Sequence, residues 1–119
     1  MKLLVQSIQG PENAVNGVFP LMIASQAAEA GHEVSIFLAG NAVSLMKTEI
    51  VENMSAIGVG KLSDHIKVLK DKRVKIHLSA GNCKARGITK DDVKDKNGVM
   101  SVPPGLLKLV EKAEKVLSY

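Results

Sequence analysis

The chain holds one cysteine, Cys83, and its neighbours have the residue types that activate a thiol. Gly81 and Asn82 precede it as small turn-forming residues, and Lys84 and Arg86 follow as cations. A thiol at a strand-to-helix turn meets unpaired amides and the positive end of a helix dipole, which favour thiolate over thiol. Only the thiolate is a strong nucleophile, so such a loop suits attack on a sulfane sulfur or a disulfide and retention of a persulfide anion. Gly81 with Asn82 could also expose amides to an anion, with Lys84 and Arg86 adding charge. A free cysteine is equally at home as a small buried apolar residue, and the residues alone leave both uses open.

Other chemistry-bearing residues are less concentrated. Gln9, Glu12 and Asn41 fall in segments that follow apolar runs and could line the same rim as Cys83. His77 stands six residues before the thiol and is a further rim candidate. His32, His65 and His77 show no i,i+3 or i,i+4 pairing, so no metal site is expected. Neither GxGxxG nor GxxxxGK occurs, and nucleotide binding has no motif behind it. Met22, Met46, Met54 and Met100 read as core or interface residues, with Met54–Val59 the best interface segment.

The elements that would position Cys83 follow from hydrophobic patterning. Lys2–Ile8 is a short apolar run ending at Gly10 and Pro11, as a buried first strand would. Apolar residues at three- and four-residue steps predict a helix over Ala14–Ala30 closed by Gly31, with Pro20 starting it late or kinking it. Glu33–Leu38 reads as the second strand, and Ala42–Met46 as helical. Lys47–Gly60 has no legible period and is expected to be a loop. Ser63 is expected to cap a helix over Asp64–Lys72, leading into a third strand at Val74–Leu78. Ser79–Cys83 is then a tight strand-to-helix turn. Gly87 closes a short helical turn and Thr89 caps another. Val99–Val102, an amphipathic helix around Leu106–Ala113, and Lys115–Tyr119 complete a five-strand alternation that predicts a doubly wound parallel sheet. In such sheets ligands collect at the carboxyl ends of strands, where Gln9–Asn13, Ala39–Asn41 and Ser79–Cys83 must lie.

Composition narrows the class. The 119 residues suit one domain, residues 1–119, and 45% hydrophobic with 24% charged residues is ordinary for a globular fold. The net charge of +4 is spread as a mildly basic surface, and Phe19, Phe37 and Tyr119 are the only aromatics, so nucleic acid is not expected as a partner. No apolar run reaches the roughly 20 residues a bilayer crossing needs, and a lone cysteine suits a reducing compartment, so a cytoplasmic protein without membrane contact is expected.

The run Ile76, His77, Leu78, Ser79, Ala80, Gly81, Asn82, Cys83, Lys84, Ala85, Arg86, Gly87, Ile88 resembles the cysteine loop of the DsrE-like family (DsrE, DsrF and TusD-type proteins). Phe37–Val43 resembles its second-strand loop, and Val110–Tyr119 its closing helix and strand. The resemblance implies a three-layer α/β/α fold with a five-stranded parallel sheet and assembly into trimers or hexamers. In sulfur-relay members it further implies a persulfide on the cysteine matching Cys83, exchanged with donor and acceptor proteins without a dissociable cofactor. Asn41 stands where many members have an acidic residue. Ser79 and Ala80 stand where some have a second cysteine, so no resolving thiol is available within the chain. Two other readings of the same fold are a non-catalytic module that binds a small anion or assembles with paralogues, and a redox-sensing thiol protein.

Overall fold

The computed structural model describes residues Met1–Tyr119. Its elements in chain order are β1 (Lys2–Ser7), α1 (Ala14–Glu29), β2 (Glu33–Leu38), a 3-10 turn (Gly40–Met46), α2 (Thr48–Asn53), β3 (Ser55–Ala56), β4 (Gly60–Lys61) and α3 (Leu62–Asp71). There follow β5 (Ile76–Ser79), α4 (Ala80–Ala85), α5 (Lys90–Val93), a second 3-10 turn (Lys94–Lys96), β6 (Gly98–Ser101), α6 (Pro103–Lys112) and β7 (Lys115–Ser118). Five strands form one sheet in the order β6-β5-β2-β1-β7, and every neighbouring pair is parallel. The expected three-layer α/β/α architecture, with a five-stranded parallel sheet and helices on both sides, is therefore the observed one.

Alternation along the strands sorts residues between the faces. Leu3, Val5, Ile36, Leu38, Ile76 and Leu78 turn toward α1 and α3 and join one buried cluster with Val18, Leu21, Leu62, Ile66 and Leu69. Ala24 and Ala28, both buried, let α1 lie close to its neighbours. Burial of these side chains, at about 25 cal/mol per Å2 of apolar surface, is the main stabilising term of the fold. The opposite face carries α6 alone, which buries none of its residues.

Four local expectations are corrected. The first helix does not start late at Pro20 but begins at Ala14 and continues past the proline, its start fixed by Asn13, whose Oδ1 accepts from the Asn16 amide at 3.1 Å. Lys47–Gly60, expected as a loop, forms α2 and a small antiparallel β3–β4 hairpin. Their buried anchors are spread singly, at Val51, Ala56 and Val59, which hides any period. Ser63 is not a cap, since α3 begins at Leu62, whose side chain is fully buried and pulls the first turn onto the core. The third strand begins at Ile76, two residues late, because Arg73 takes a left-handed conformation (φ 60°) and turns the chain after α3.

Candidate functional site

The carboxyl ends of β1, β2 and β5 meet along one rim, and a close approach of backbones sets its geometry. A methyl group at Gly10 would collide with the Asn41 carbonyl, so glycine there allows the loop after β1 to lie against the loop after β2. The Gly10 amide donates to Glu12 Oε1 at 2.6 Å and fixes that carboxylate at the seam. Asn41 Nδ2 donates to Glu12 Oε2 at 3.1 Å. On its other side, Asn41 Oδ1 accepts from Arg86 Nη2 at 2.8 Å and Nε at 3.3 Å. Arg86 Nη1 donates to the Asn82 main-chain oxygen at 3.2 Å and to Asn82 Oδ1 at 3.3 Å. Asn82 Nδ2 in turn donates to Ser79 Oγ at 2.9 Å.

Four of the residues picked out in the sequence, Glu12, Asn41, Asn82 and Arg86, thus form one hydrogen-bonded line that joins the segments after β1 and β2 to α4. Burial, the largest single influence on Glu12, raises its pKa. The bonds from Asn41 and Gly10 and the nearby Arg86 charge together outweigh it and hold the carboxyl below the ordinary range. Glu12 is accordingly an anion at neutral pH.

Cys83 is the fourth residue of α4 and is 1% exposed. Its side chain joins the cluster that contains Ile76, Leu78, Ile88 and Val93, beneath a wide shallow depression bounded by Lys84, Gly87, Thr89, Lys90 and Met100. The expectation of a thiol favoured as thiolate by helix-start amides is corrected here. Burial raises the Cys83 pKa above 9.0, and the Arg86 charge opposes this without overcoming it. The amide of Asn82 is already engaged by Ser79 Oγ, at 3.4 Å, and the sulfur sits a full turn inside the helix. Lys84 stands at the edge of the depression, and Gly81 is exposed with open space around it.

His77 does not share this site. Its neighbours Ile76 and Leu78 point into the cluster that holds Cys83, so His77 points to the opposite face of the sheet. Burial there, helped by the Lys75 charge, lowers its pKa below 6.5. Gln9 lies on the rim at its other end, accepting from Asn16 Nδ2 at 3.1 Å beside Phe19 and Tyr119. His65 Nε2 donates to the Val59 carbonyl at 2.7 Å and steadies the β3–β4 hairpin. No three His, Cys, Asp or Glu side chains gather where they could hold a metal ion.

Two residues escaped the sequence reading. Ser79 is the N-cap of α4 and the anchor of Asn82, and the spacing of a serine three residues before a polar side chain was the signal available for it. Lys96 is buried and donates to Thr48 Oγ1, the Asp92 carbonyl and Asp95 Oδ1 at 2.8 to 3.1 Å. Nothing in its charged surroundings marks it in the sequence.

Comparison with known proteins bears on the whole chain. The model of the DsrE/DsrF-like family matches residues 1–119. No curated protein sequence matches the chain. The crystal structure of the ychN protein from E. coli superposes with a TM-score of 0.82 at 18% identity, covering 99% of this chain and 98% of that one. A conserved protein of unknown function from Bacteroides thetaiotaomicron gives 0.68 at 17% identity, covering 99% and 94%. A protein of unknown function from Methanobacterium thermoautotrophicum gives 0.70 at 13% identity, covering 99% and 98%. At these identities the likeness is one of fold.

Proposed function

The chain belongs to the DsrE/DsrF-like family, and from that premise we propose that it is a sulfur-relay protein that carries sulfane sulfur as a persulfide on Cys83. The observation that carries this reading is Arg86, held at the rim beside the only thiol and acting on it electrostatically. The Cys83 thiolate attacks the terminal sulfur of a donor persulfide. The new S–S bond forms as the donor's own S–S bond breaks, and the donor leaves as a thiolate. In the second half the acceptor's thiolate takes the terminal sulfur and Cys83 leaves as thiolate, with no net oxidation. Gly81, Asn82, Lys84 and Arg86 would surround the persulfide anion. With no second cysteine in the chain, the sulfur must pass to another protein.

Because Cys83 is covered and held as the neutral thiol, a donor has to open the Gly87–Lys90 side of the depression before transfer. Gly87, with φ 68°, is a suitable pivot there. The partners are a donor and an acceptor protein, and the chain itself assembles as a homo-oligomer, a trimer or hexamer, or with paralogues. Support for assembly comes from the exposed apolar side chains Val99, Val102, Leu107, Val110 and Val116 around α6 and its sheet face, and from Ile57, 95% exposed at the hairpin tip. No helix is long and apolar enough to cross a membrane. A cytoplasmic location fits a chain that must keep a single thiol reduced.

The test is incubation with a persulfide-charged sulfurtransferase under non-reducing conditions, followed by mass spectrometry. One added sulfur on Cys83, absent from Cys83→Ser, is expected, and an uncharged Cys83 after full donor turnover would sink the proposal. The burial of Cys83 favours one second reading, an assembly module in which the thiol is structural. In that case Cys83→Ser leaves oligomer size and partner binding unchanged and no sulfur is taken up.

A further inference from the structure

The donor and acceptor chemistry of the rim line permits only one arrangement. A carboxylate only accepts and a guanidinium only donates, whereas a side-chain amide does one at each end. Asn41 Nδ2 must therefore face Glu12, and this turns Asn41 Oδ1 onto Arg86, where it accepts twice. Asn82 repeats the device on the other flank, with Nδ2 on Ser79 and Oδ1 on Arg86. All four bonds from the guanidinium end on neutral oxygens. No carboxylate touches it, and one Nη2 N–H is left without a partner. The nearest carboxylate in the line, Glu12, is kept one residue away by Asn41. The positive charge is thus fixed in place with no carboxylate in contact, one turn after Cys83, whose carbonyl accepts from the Arg86 amide at 3.1 Å.

We infer that Asn41, oriented by Glu12, is a positioning residue that keeps Arg86 an unneutralised cation next to the Cys83 thiol and so selects anionic over neutral reaction partners. The chemical class this favours is a sulfur species that arrives negatively charged, such as a persulfide anion. The inference rests on the proposal above for the identity of the reacting thiol, but its test needs no sulfur donor.

The probes are iodoacetate and iodoacetamide, which alkylate a thiolate at the same carbon with loss of iodide and differ in charge. The ratio of their rates at Cys83 reads the local potential, while access to the buried thiol cancels. In the unaltered protein the ratio should exceed that of a neutral cysteine peptide. Asn41→Asp would pair directly with Arg86 and should lower the ratio about three- to tenfold. Glu12→Ala separates positioning from bulk charge by sign. Loss of a negative charge alone would raise the ratio, whereas release of Asn41 and Arg86 should lower it about two- to threefold. Glu12→Gln keeps one oxygen for Asn41 but loses the acceptor for the Gly10 amide, so its ratio should fall between those of Glu12→Ala and the unaltered protein. A rise or no change in Glu12→Ala, or an unchanged ratio in Asn41→Asp, overturns the inference. Failure of sulfur loading with this pattern intact would instead remove the relay reading alone.

Discussion

The two faces of the one sheet are built to different ends. On the face covered by α1 and α3, the inward residues of β1, β2 and β5 belong to a continuous cluster of 25 buried side chains. On the other face, α6 lies over β1 without burying any residue, and Leu107 and Val110 stay exposed. Leu4 and Phe37 are the buried apolar residues that the second face retains, and both lie outside the large cluster. The thiol belongs to the closed face and the half-buried His77 to the open one. Stability is thus concentrated on one side of the sheet, which leaves the other free to serve as a surface. The rim network runs along the strand ends, where loops from the closed face come together.

That contrast can be broken most sharply in the closed core. Leu69→Ala should cost about 2 to 5 kcal/mol, because α3 is pinned between α1 and α2 and cannot collapse into the cavity. Urea denaturation would measure it, and a cost below that of an exposed leucine would deny the closed face its role. Lys96→Met should cost about 1 to 3 kcal/mol by leaving the Asp92 carbonyl and Asp95 without their buried donor. The same denaturation series checks it.

The faces should also titrate in opposite directions. Cys83, whose folded pKa is raised by burial, contributes stability that is present below about 9.0 and lost as pH rises through its folded value. Cys83→Ala should flatten the alkaline limb of the stability profile. His77, whose folded pKa is lowered by burial and by Lys75, contributes stability that is present above 6.5 and lost as pH falls through its folded value. His77→Gln should flatten the acid limb, and an unchanged slope would show that His77 is freely solvated. The smallest effect belongs to the open face. Leu107→Ser should change monomer stability by no more than about 0.5 kcal/mol, yet sedimentation should show smaller oligomers if this face is the contact between copies.

Much of this molecule is legible along the chain. Strand periodicity at Leu3–Val5 and Val34–Leu38 and the stripe of Leu62, Ile66 and Leu69 arise from local burial patterns, so the sheet, its parallel sense and the carboxyl-end rim could be read from order alone. Gln9, Glu12, Asn41, Asn82, Cys83 and Arg86 follow strand ends, and their shared rim is a consequence of parallel topology. What local pattern could not carry was α2 with the β3–β4 hairpin, whose anchors Val51, Ala56 and Val59 are spaced for contact with distant elements.

Cys83 shows where the division falls. Its type, its solitude and its place after the third long strand were determined by the sequence, because they depend only on residue identity and strand order. Its protonation was decided by the tertiary structure, because that depends on how much water the folded chain removes and which charge it leaves nearby. The cluster that covers the sulfur is assembled from Ile76, Ile88 and Val93, and the cation that opposes burial is held by the amide of Asn82 in the same helix and by that of Asn41 from the loop after β2. Neither the covering nor the counter-charge exists until strands distant in sequence stand side by side.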